Sequence, residues 1–354
     1  MARVIRVIVV DDSALVRDIL ARGLSIDPFI DVVATAPDPY VARDLIVKHK
    51  PDVLTLDVEM PRMDGVEFLR KLMPQYPIPV VMVSALTEKG KKITLDALEA
   101  GAVDFVTKPG TDVARGLNAM LMELRTKVKI ASTANVSHWK HNRVTPLQAP
   151  SQVVTTALSE STDKVIAIGA STGGTEAIRE VITRFPNLTP GVVIVQHMPP
   201  GYTKMFSERM NTLCSMEVKE AADGDRVMPG RVLIAPGGKH MKLYRSGGIY
   251  QVECREGEKV SGHCPSVNVL MHSVARHAGS NAVGVMLTGM GNDGAEGIKA
   301  MRDAGARTIA QNQESCVVYG MPKAAFELGG AESLVPLHEI AVAVVRLLSS
   351  REPK

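Results

Sequence analysis

The stretch that decides the fold of this chain is Val165–Ala177, which reads VIAIGASTGGTEA. An apolar run over residues 165–168 predicts a buried strand, and the residues after two further glycines favour a helix. The segment between them fits the pattern G-x-S-x-G, in which small residues permit a sharp strand-to-helix turn. Such a turn exposes the hydroxyl of Ser171. It also directs helix N-terminal N–H groups at the space beside it, which suits a developing oxyanion.

Glycine-rich turns of this kind also bind phosphate groups or serve only to pack a helix closely. A dinucleotide-binding fingerprint has glycine at the position of Ser171, and a P-loop has lysine at the position of Thr175. Both patterns therefore fit poorly. Because the motif is short, the stretch by itself leaves a nucleophile and a structural turn equally open.

The composition indicates a globular protein of about two domains, since the chain has 354 residues of which 45% are hydrophobic. The 41 basic and 38 acidic residues give a net charge of +3, without the concentrated basic face of a nucleic-acid-binding protein. The four cysteines have no C-x-x-C spacing, so neither zinc nor disulfides are expected.

The N-terminal sequence MARVIRVIVVDD is not typical of a signal peptide, because its apolar part is short and soon followed by acidic residues. No apolar run approaches the ~20 residues that a membrane span requires. We therefore expect a cytoplasmic protein without membrane insertion or nucleic-acid partners, and we expect a monomer.

Strand and helix patterns alternate five times in the first third of the chain, which predicts an α/β domain with a five-stranded, doubly wound parallel sheet. Polar side chains directly follow four of its strands, and we expect them to meet at one sheet edge. They are Asp11, Asp12, Asp57, Ser84 and Lys108. Clustered carboxylates repel one another unless a cation joins them, and oxygen ligands favour Mg²⁺.

With these residues in place, the first domain, predicted over residues 1–125, resembles a response-regulator receiver. The resemblance implies phosphorylation of Asp57 by a chemotaxis histidine kinase, with Ser84 and Lys108 contacting the phosphoryl group. It also implies a Mg²⁺ site next to the supporting Asp11, with the ligands Asp12, Asp57 and the carbonyl of Glu59. Phe105 occupies the family's aromatic switch position.

Periodicity disappears after the first domain, and Ser, Thr, Asn, Pro and Gln dominate. Residues 126–162 are therefore predicted to form a flexible linker. Trp139, in a basic stretch, is interpreted as an exposed aromatic side chain. The second domain is predicted over residues 163–350 as a mainly parallel, doubly wound α/β domain with a β-hairpin across Ser246-Gly247-Gly248.

Three apolar strands of the second domain run into Ser171, His197 and Asp293. In a parallel sheet these side chains are free to converge on one edge, and together they provide the groups for nucleophilic acyl transfer. Ser171 is the predicted nucleophile, His197 the predicted base and Asp293 the residue that orients the imidazole. Backbone N–H groups near Thr172 and in the loop with Met290 are candidates to bind the oxyanion.

Other residues compete for these roles. His240 is the serious rival for the base because it also follows a strand end, and the remaining candidates are His263, His272 and His277. Asp223, Asp225 and Asp303 compete with Asp293, but only Asp293 lies in a glycine-rich loop after a buried strand. The order Ser, His, Asp also differs from the Ser, Asp, His order of α/β-hydrolases.

The order and five segments resemble the catalytic domain of the chemotaxis protein-glutamate methylesterases. The segments are IGASTGG, VIVQHMP, APGGKHM, LTGMGNDG and YGMPKAA. The resemblance implies the same roles for Ser171, His197 and Asp293, with Met290 packed beside the histidine. It further implies hydrolysis of γ-glutamyl methyl esters on methyl-accepting chemoreceptors without a cofactor. It also implies deamidation of receptor glutamines, in chemotaxis adaptation under phosphorylation control. Asn268 stands where the family often has aspartate. The alternative from another class is a non-catalytic adaptor that only binds receptors.

Overall fold

The structure is a computed structural model that describes residues 3–85, 87–109, 113–141 and 163–349. The chain forms two compact units, Met1–Thr145 and Pro146–Lys354, and each is described by itself. Among the described residues, no helix has the length and apolar character needed to cross a membrane.

The first unit is built on a parallel five-stranded sheet in the order β2-β1-β3-β4-β5. Its strands are β1 (Ile5–Val10), β2 (Ile30–Ala36), β3 (Val53–Asp57), β4 (Val80–Ser84) and β5 (Asp104–Thr107). Its helices are α1 (Ala14–Ser25), α2 (Pro39–His49), α3 (Gly65–Gln75), α4 (Glu88–Glu99) and α5 (Val113–Ala131). This arrangement confirms the predicted five-stranded doubly wound sheet.

Side-chain caps fix where the first four helices begin. Ser13, Asp38, Asp64 and Thr87 each accept a hydrogen bond from a backbone N–H of the following helical turn. Such caps satisfy N–H groups that have no partner within the helix. They therefore set the exits of the loops that join the strand ends to the helices.

The packed structure extends beyond residue 125, where the first domain was predicted to end. Helix α5 continues to Ala131 because Leu124, Val128 and Ala131 are buried. A short 3₁₀ helix follows at Ser137–His141, in which Trp139 is half-buried and lies against Gly101. The rest of the predicted linker, residues 142–162, lies outside the described residues, and the predicted domain limits stay a prediction.

The second unit has a parallel seven-stranded sheet in the order β15-β14-β13-β6-β7-β10-β8. Its strands are β6 (Val165–Ala170), β7 (Gly191–Gln196), β8 (Glu217–Glu220), β10 (Arg231–Ile234), β13 (Ala282–Met286), β14 (Arg307–Gln311) and β15 (Ser333–Val335). A separate antiparallel sheet contains β9 (Arg226–Val227) and the hairpin of β11 (His240–Ser246) and β12 (Ile249–Arg255). The predicted parallel domain with a hairpin is thus confirmed.

Among residues 163–349, six α-helices cover the seven-stranded sheet or pack at its edges. They are α6 (Gly174–Ile182), α7 (Tyr202–Leu213), α8 (Val267–Ala278), α9 (Ala295–Asp303), α10 (Met321–Glu327) and α11 (Leu337–Ser349). Five of these elements were not predicted from the sequence: α7, α10, β8, β9 and β15. Three of these five elements are strands of four residues or fewer, which are too short to show a periodic pattern.

Strand β6 lies at the centre of the sheet, between β13 and β7. The chain leaves β6 toward β7 on one side and later returns through β13 on the other, so the strand order reverses here. Open α/β sheets bind ligands at the carboxyl ends of strands at such a point. Gly173, the N-cap of helix α6, has a φ of +76°, and a Cβ there would lie 2.6 Å from Val317. The turn after β6 therefore requires glycine at this position.

Candidate active site

The turn after β6 is held by backbone hydrogen bonds on both sides of Ser171. The Ser171 N–H donates to the carbonyl of Thr288 at 3.0 Å, and the Gly174 N–H donates to the carbonyl of Ser171 at 2.7 Å. Thr288 also donates its hydroxyl to the carbonyl of Thr172 at 3.0 Å. The loop after β13 thus fixes the position of the serine.

The carboxamide of Gln196, at the end of β7, joins this turn to the next strand end. Its Nε2 donates to the carbonyls of Ser171 at 2.9 Å and His197 at 3.2 Å. The His197 N–H donates to the carbonyl of Ala170 at 3.1 Å. Ser171 and His197 therefore lie on adjacent strand ends with their backbones bridged by one amide.

His197 presents its Nε2 to Oδ2 of Asp293 at 2.8 Å. An ionised carboxylate only accepts hydrogen bonds, so in the neutral ring Nε2 carries the proton and Nδ1 carries a lone pair. Nδ1 is buried and has no hydrogen-bond partner among the described residues. The structure thus joins His197 to Asp293, and it places no hydrogen bond between His197 and the Ser171 hydroxyl.

Asp293 is buried and accepts four hydrogen bonds, three of them at the start of α8. Oδ1 accepts from the Ser266 hydroxyl at 2.8 Å and the Asn268 N–H at 3.1 Å, and Oδ2 accepts from the Val267 N–H at 2.7 Å. Burial opposes ionisation, but the bonds from His197, Ser266 and Val267 outweigh it and hold the pKa of Asp293 below its usual value. A helix N-terminus also favours a negative charge. Asp293 is therefore a fixed carboxylate.

The two residues predicted near the oxyanion occupy different environments. Thr172 is buried, at 6% exposure, in the turn after Ser171, whereas the Met290 side chain is 45% exposed. The N–H groups of Ser171 and Gly174 already donate to carbonyls. The roles of Thr172 and Met290 stay predictions.

The rival histidine His240 is excluded as the base by its hydrogen bonds. The Ser266 N–H donates to its Nδ1 at 3.2 Å, so Nδ1 is an acceptor and Nε2 donates to the carbonyl of Glu258 at 2.8 Å. Both ring nitrogens of His240 are thus occupied by hydrogen bonds to the backbone. His272 lies exposed on α8, and His263 contacts His197 through its ring face.

The rival aspartates lie in other hydrogen-bonded settings. Asp223 accepts from the Cys254 N–H at 3.0 Å, and Asp225 pairs with Lys219 at 2.9 Å. Asp303 pairs with Lys299 on the exposed side of α9. None of these three is joined to a histidine by a hydrogen bond that the structure describes, whereas Asp293 is.

In the first unit, the predicted acidic residues converge at the sheet edge. Oxygen atoms of Asp11, Asp12 and Asp57 lie within 4.8 Å of one another. Lys108 Nζ lies 2.9 Å from Asp11 and 3.0 Å from Asp57. Carboxylates at this separation suit a divalent cation with oxygen ligands.

Another predicted pocket residue, Ser84, has its hydroxyl turned away from the acidic cluster. Ser84 is fully buried, where it donates to the Gly90 carbonyl at 3.2 Å and accepts from the Thr94 hydroxyl at 2.7 Å. Glu59 is a predicted ligand through its backbone carbonyl, and its exposed side chain lies 3.8 Å from Lys89, so that assignment stays a prediction. A contact of Ser84 with a phosphoryl group therefore requires its hydroxyl to leave Gly90.

Burial raises the pKa of Asp57 to about 6, although the Lys108 ammonium opposes the shift and Asp11 adds to it. A carboxyl whose pKa is raised on folding stabilises the fold in its neutral form. That contribution is complete below the unfolded pKa, near 3.8, and is lost as the pH rises through about 6. At neutral pH, ionised Asp57 therefore lowers the free energy of unfolding.

We expect Asp57→Asn to raise the free energy of unfolding of the first unit by about 2 kcal/mol at about pH 8 without divalent cations. The gain disappears toward about pH 4, where Asp57 is neutral. Urea unfolding followed by the fluorescence of Trp139, the one tryptophan of the chain, measures it. Asp31→Asn, at an exposed position, is the matched control. An equal gain at both pH values would contradict the assignment.

Sequence reasoning missed three residues that hold the candidate site: Gln196, Ser266 and Thr288. Gln196 and Thr288 are polar residues at the ends of apolar strands, and that position was the available signal. Ser266 stands three residues before Val269 at the start of a helical pattern, as a helix cap does, and it accepts from the Val269 N–H. Its bond to Asp293 had no signal in the sequence.

Two family models match the chain. The CheB methylesterase model matches residues 166–344, and the response regulator receiver domain model matches residues 7–119. A protein-glutamate methylesterase/protein-glutamine glutaminase of Syntrophotalea carbinolica is 69% identical over 351 residues, or 99% of each chain. The protein of the same name from Salmonella typhimurium is 55% identical and covers 98% of this chain and 97% of its own.

Among solved structures, the CheB methylesterase catalytic domain of Thermotoga maritima aligns with a TM-score of 0.51 and 37% identity. The alignment covers 52% of this chain and 99% of that domain. The family match lies on the unit that joins His197 to Asp293, and the relatives match over almost their full lengths. This chain therefore belongs to the CheB methylesterase family, with a response-regulator receiver domain ahead of the methylesterase domain.

Proposed function

We propose that this protein is a serine hydrolase that removes methyl groups from glutamate γ-methyl esters of chemoreceptors, under control of phosphorylation at Asp57. One observation carries the proposal: Nε2 of His197 donates to Asp293, which leaves the buried lone pair of Nδ1 on the strand end next to Ser171. The relatives are named protein-glutamate methylesterase/protein-glutamine glutaminase, and these names support glutamate methyl esters and glutamine side chains as the substrate class.

In the proposed acylation step, Ser171 Oγ bonds to the ester carbonyl carbon while its proton passes to Nδ1 of His197. The imidazolium that forms lies against the Asp293 carboxylate, which stabilises its charge. When the tetrahedral intermediate collapses, the bond from carbon to methoxy oxygen breaks and Nδ1 returns the proton. The products of this step are methanol and an acyl ester on Ser171.

In the proposed deacylation step, Nδ1 takes a proton from water as the water oxygen attacks the acyl carbonyl. The bond to Ser171 Oγ breaks, Oγ recovers the proton, and the glutamate side chain leaves. A receptor glutamine follows the same path with ammonia as the leaving group. The one site therefore serves both hydrolysis of the ester and deamidation, since only the leaving group differs.

In the proposal, the developing oxyanion lies at the turn where helix α6 begins. The Ser171 and Gly174 N–H groups are used inside the turn, so the sequence-based candidates, the backbone at Thr172 and at Met290, keep this role. Losing one oxyanion donor typically costs roughly 3 kcal/mol of activation free energy. The N-terminal end of α6 adds its partial positive charge at the same place.

The receiver unit supplies control in this proposal. Asp57 accepts a phosphoryl group from a histidine kinase, and Lys108 stays beside it to balance the added charge. The acidic cluster fits Mg²⁺, with Asp12, Asp57 and the Glu59 carbonyl as its ligands and Asp11 in support. A bound Mg²⁺ would offset the negative charge of the phosphoryl oxygens.

The test is methanol release from a methylated receptor by the full chain, with and without a small-molecule phosphodonor and Mg²⁺. We expect wild type to release methanol and to do so faster with the phosphodonor, whereas Asp57→Asn keeps the basal rate and does not respond. Absence of methanol release in all conditions, together with receptor binding, would favour a non-catalytic adaptor. An equal response of Asp57→Asn would contradict control through Asp57.

A further inference from the structure

The ring of His263 lies flat on the ring of His197. Their centroids are 3.7 Å apart, and the ring planes differ by 8°. From the sequence, His263 is a rival candidate for the base. It instead covers the face of the predicted base, while the edge of that base binds Asp293.

A tight turn holds His263 in this position. The N–H groups of Val260 and His263 each donate to the other residue's carbonyl at 3.0 Å. The two residues between them, Ser261 and Gly262, have φ values of 52° and 82°. Positive φ at both central residues is the geometry of a type I′ turn, whose register is fixed. The turn therefore fixes the position of the His263 backbone and the direction in which its side chain leaves the chain.

The start of α8 anchors the same turn. Asn268 Nδ2 donates to the Ser261 hydroxyl at 3.2 Å, and its Oδ1 accepts from the Gly297 N–H at 2.8 Å. His240 binds the carbonyl of Glu258 in the segment that leads into the turn. Since the Asn268 N–H also donates to Asp293, one helix start fixes both groups that touch His197.

The hydrogen bond to Asp293 leaves the His197 ring able to rotate. A histidine χ2 angle has broad, roughly two-fold preferences, and the bond to Oδ2 restrains one edge of the ring only. Nδ1 has no partner among the described residues to restrain the other edge. A second ring stacked on its face resists rotation, because rotation would separate the two faces.

We propose that His263 is a positioning residue for the proposed hydrolysis, and that its ring holds His197 with Nε2 on Asp293 and Nδ1 available to Ser171. The inference rests on the proposed function for its kinetic effect. The structural part of the inference is that the His197 ring has one orientation and one tautomer, and this part does not depend on turnover. The kinetic effect and the ring orientation are therefore tested separately.

The kinetic test compares His263→Phe, which keeps a flat ring, with His263→Leu, which keeps apolar bulk without one. In the full chain acting on methylated receptor, we expect His263→Leu to lower kcat about tenfold with KM unchanged. This factor corresponds to the interaction free energy typical of an aromatic pair. We expect His263→Phe to stay within about threefold of wild type. His272→Leu, on the exposed face of α8, is the control and keeps wild-type kcat.

The second readout is ¹⁵N NMR of histidine-labelled full chain. We expect wild type and His263→Phe to show His197 with a protonated Nε2 and an unprotonated Nδ1, and His263→Leu to show a mixture of tautomers.

Equal kcat in wild type and both variants, with one unchanged tautomer, would overturn the inference. A loss in His263→Phe as large as in His263→Leu would overturn it too, since the imidazole itself would then be needed. If His263→Leu does not fold, His263→Gln takes its place. A failed methanol assay with the expected tautomer pattern would remove the proposed function and leave the positioning role standing.

Discussion

Replacing Ser171 by alanine lowers kcat for methanol release by about 10⁴-fold or more, because the variant lacks the hydroxyl that forms the proposed acyl intermediate. The loss is confined to kcat. The side chain removed is small, and the turn is held by backbone bonds to Thr288 and by Gln196, which alanine leaves in place. Receptor binding is therefore retained.

The measurement is steady-state release of methanol at saturating methylated receptor, alongside a pull-down of the same receptor. Ser215→Ala, at an exposed position outside the sheet edge, is the matched control and keeps wild-type kcat. The assignment of Ser171 as the nucleophile would be wrong if Ser171→Ala retained more than about a tenth of the wild-type activity. Loss of receptor binding in the same variant would instead indicate that the turn had collapsed.

Changing Asp293 to asparagine lowers kcat by about 10³- to 10⁴-fold, since an amide cannot stabilise the imidazolium and favours the wrong tautomer. This variant also lowers the free energy of unfolding by about 1–3 kcal/mol, because its amide NH₂ faces groups that donate to the carboxylate. At Oδ1 those donors are the Ser266 hydroxyl and the Asn268 N–H; at Oδ2 they are Val267 and His197. Either rotamer of asparagine leaves a donor facing a donor.

Urea unfolding and methanol release on the same preparation separate the two effects. Asp303→Asn removes a carboxylate from the exposed face of α9 and should change kcat little. Because the pKa of Asp293 is held below its usual value, its contribution to stability is present above the unfolded pKa and is lost only as the pH falls below that range. A variant with wild-type kcat, or one whose stability deficit appeared only at low pH, would refute the role of Asp293.

Both units place their chemistry by the same rule. In a parallel sheet the residue after each strand lies on one edge, so Asp57 reaches Lys108 and His197 reaches the loop of Asp293. The rule needs only the strand ends to be found, and buried parallel strands appear as continuous apolar runs. For this reason the acidic cluster and the three candidate catalytic residues were identified from the sequence.

The choice among similar residues needed more than this rule. His197 and His240 both come near strand ends, and nothing in their neighbours along the chain shows which has a ring nitrogen available. The distinction depends on Ser266 and Glu258, which occupy the two nitrogens of His240. These contacts join residues that are 18 and 26 positions apart, and no local periodicity encodes them.

By itself, the sequence determined the two α/β domains, the strand ends that carry Ser171, His197 and Asp57, and the family. These features depend on apolar runs and on motifs that are local along the chain. Only the tertiary structure decided that Nε2 of His197 binds Asp293, that the start of α8 holds that carboxylate, that the Ser84 hydroxyl is turned to Gly90, and that His263 covers the His197 ring. Each of these is a directional contact between segments brought together by sheet order and side-chain packing. Hydrogen-bond direction and ring stacking depend on distances of a few ångströms, which a one-dimensional pattern does not contain.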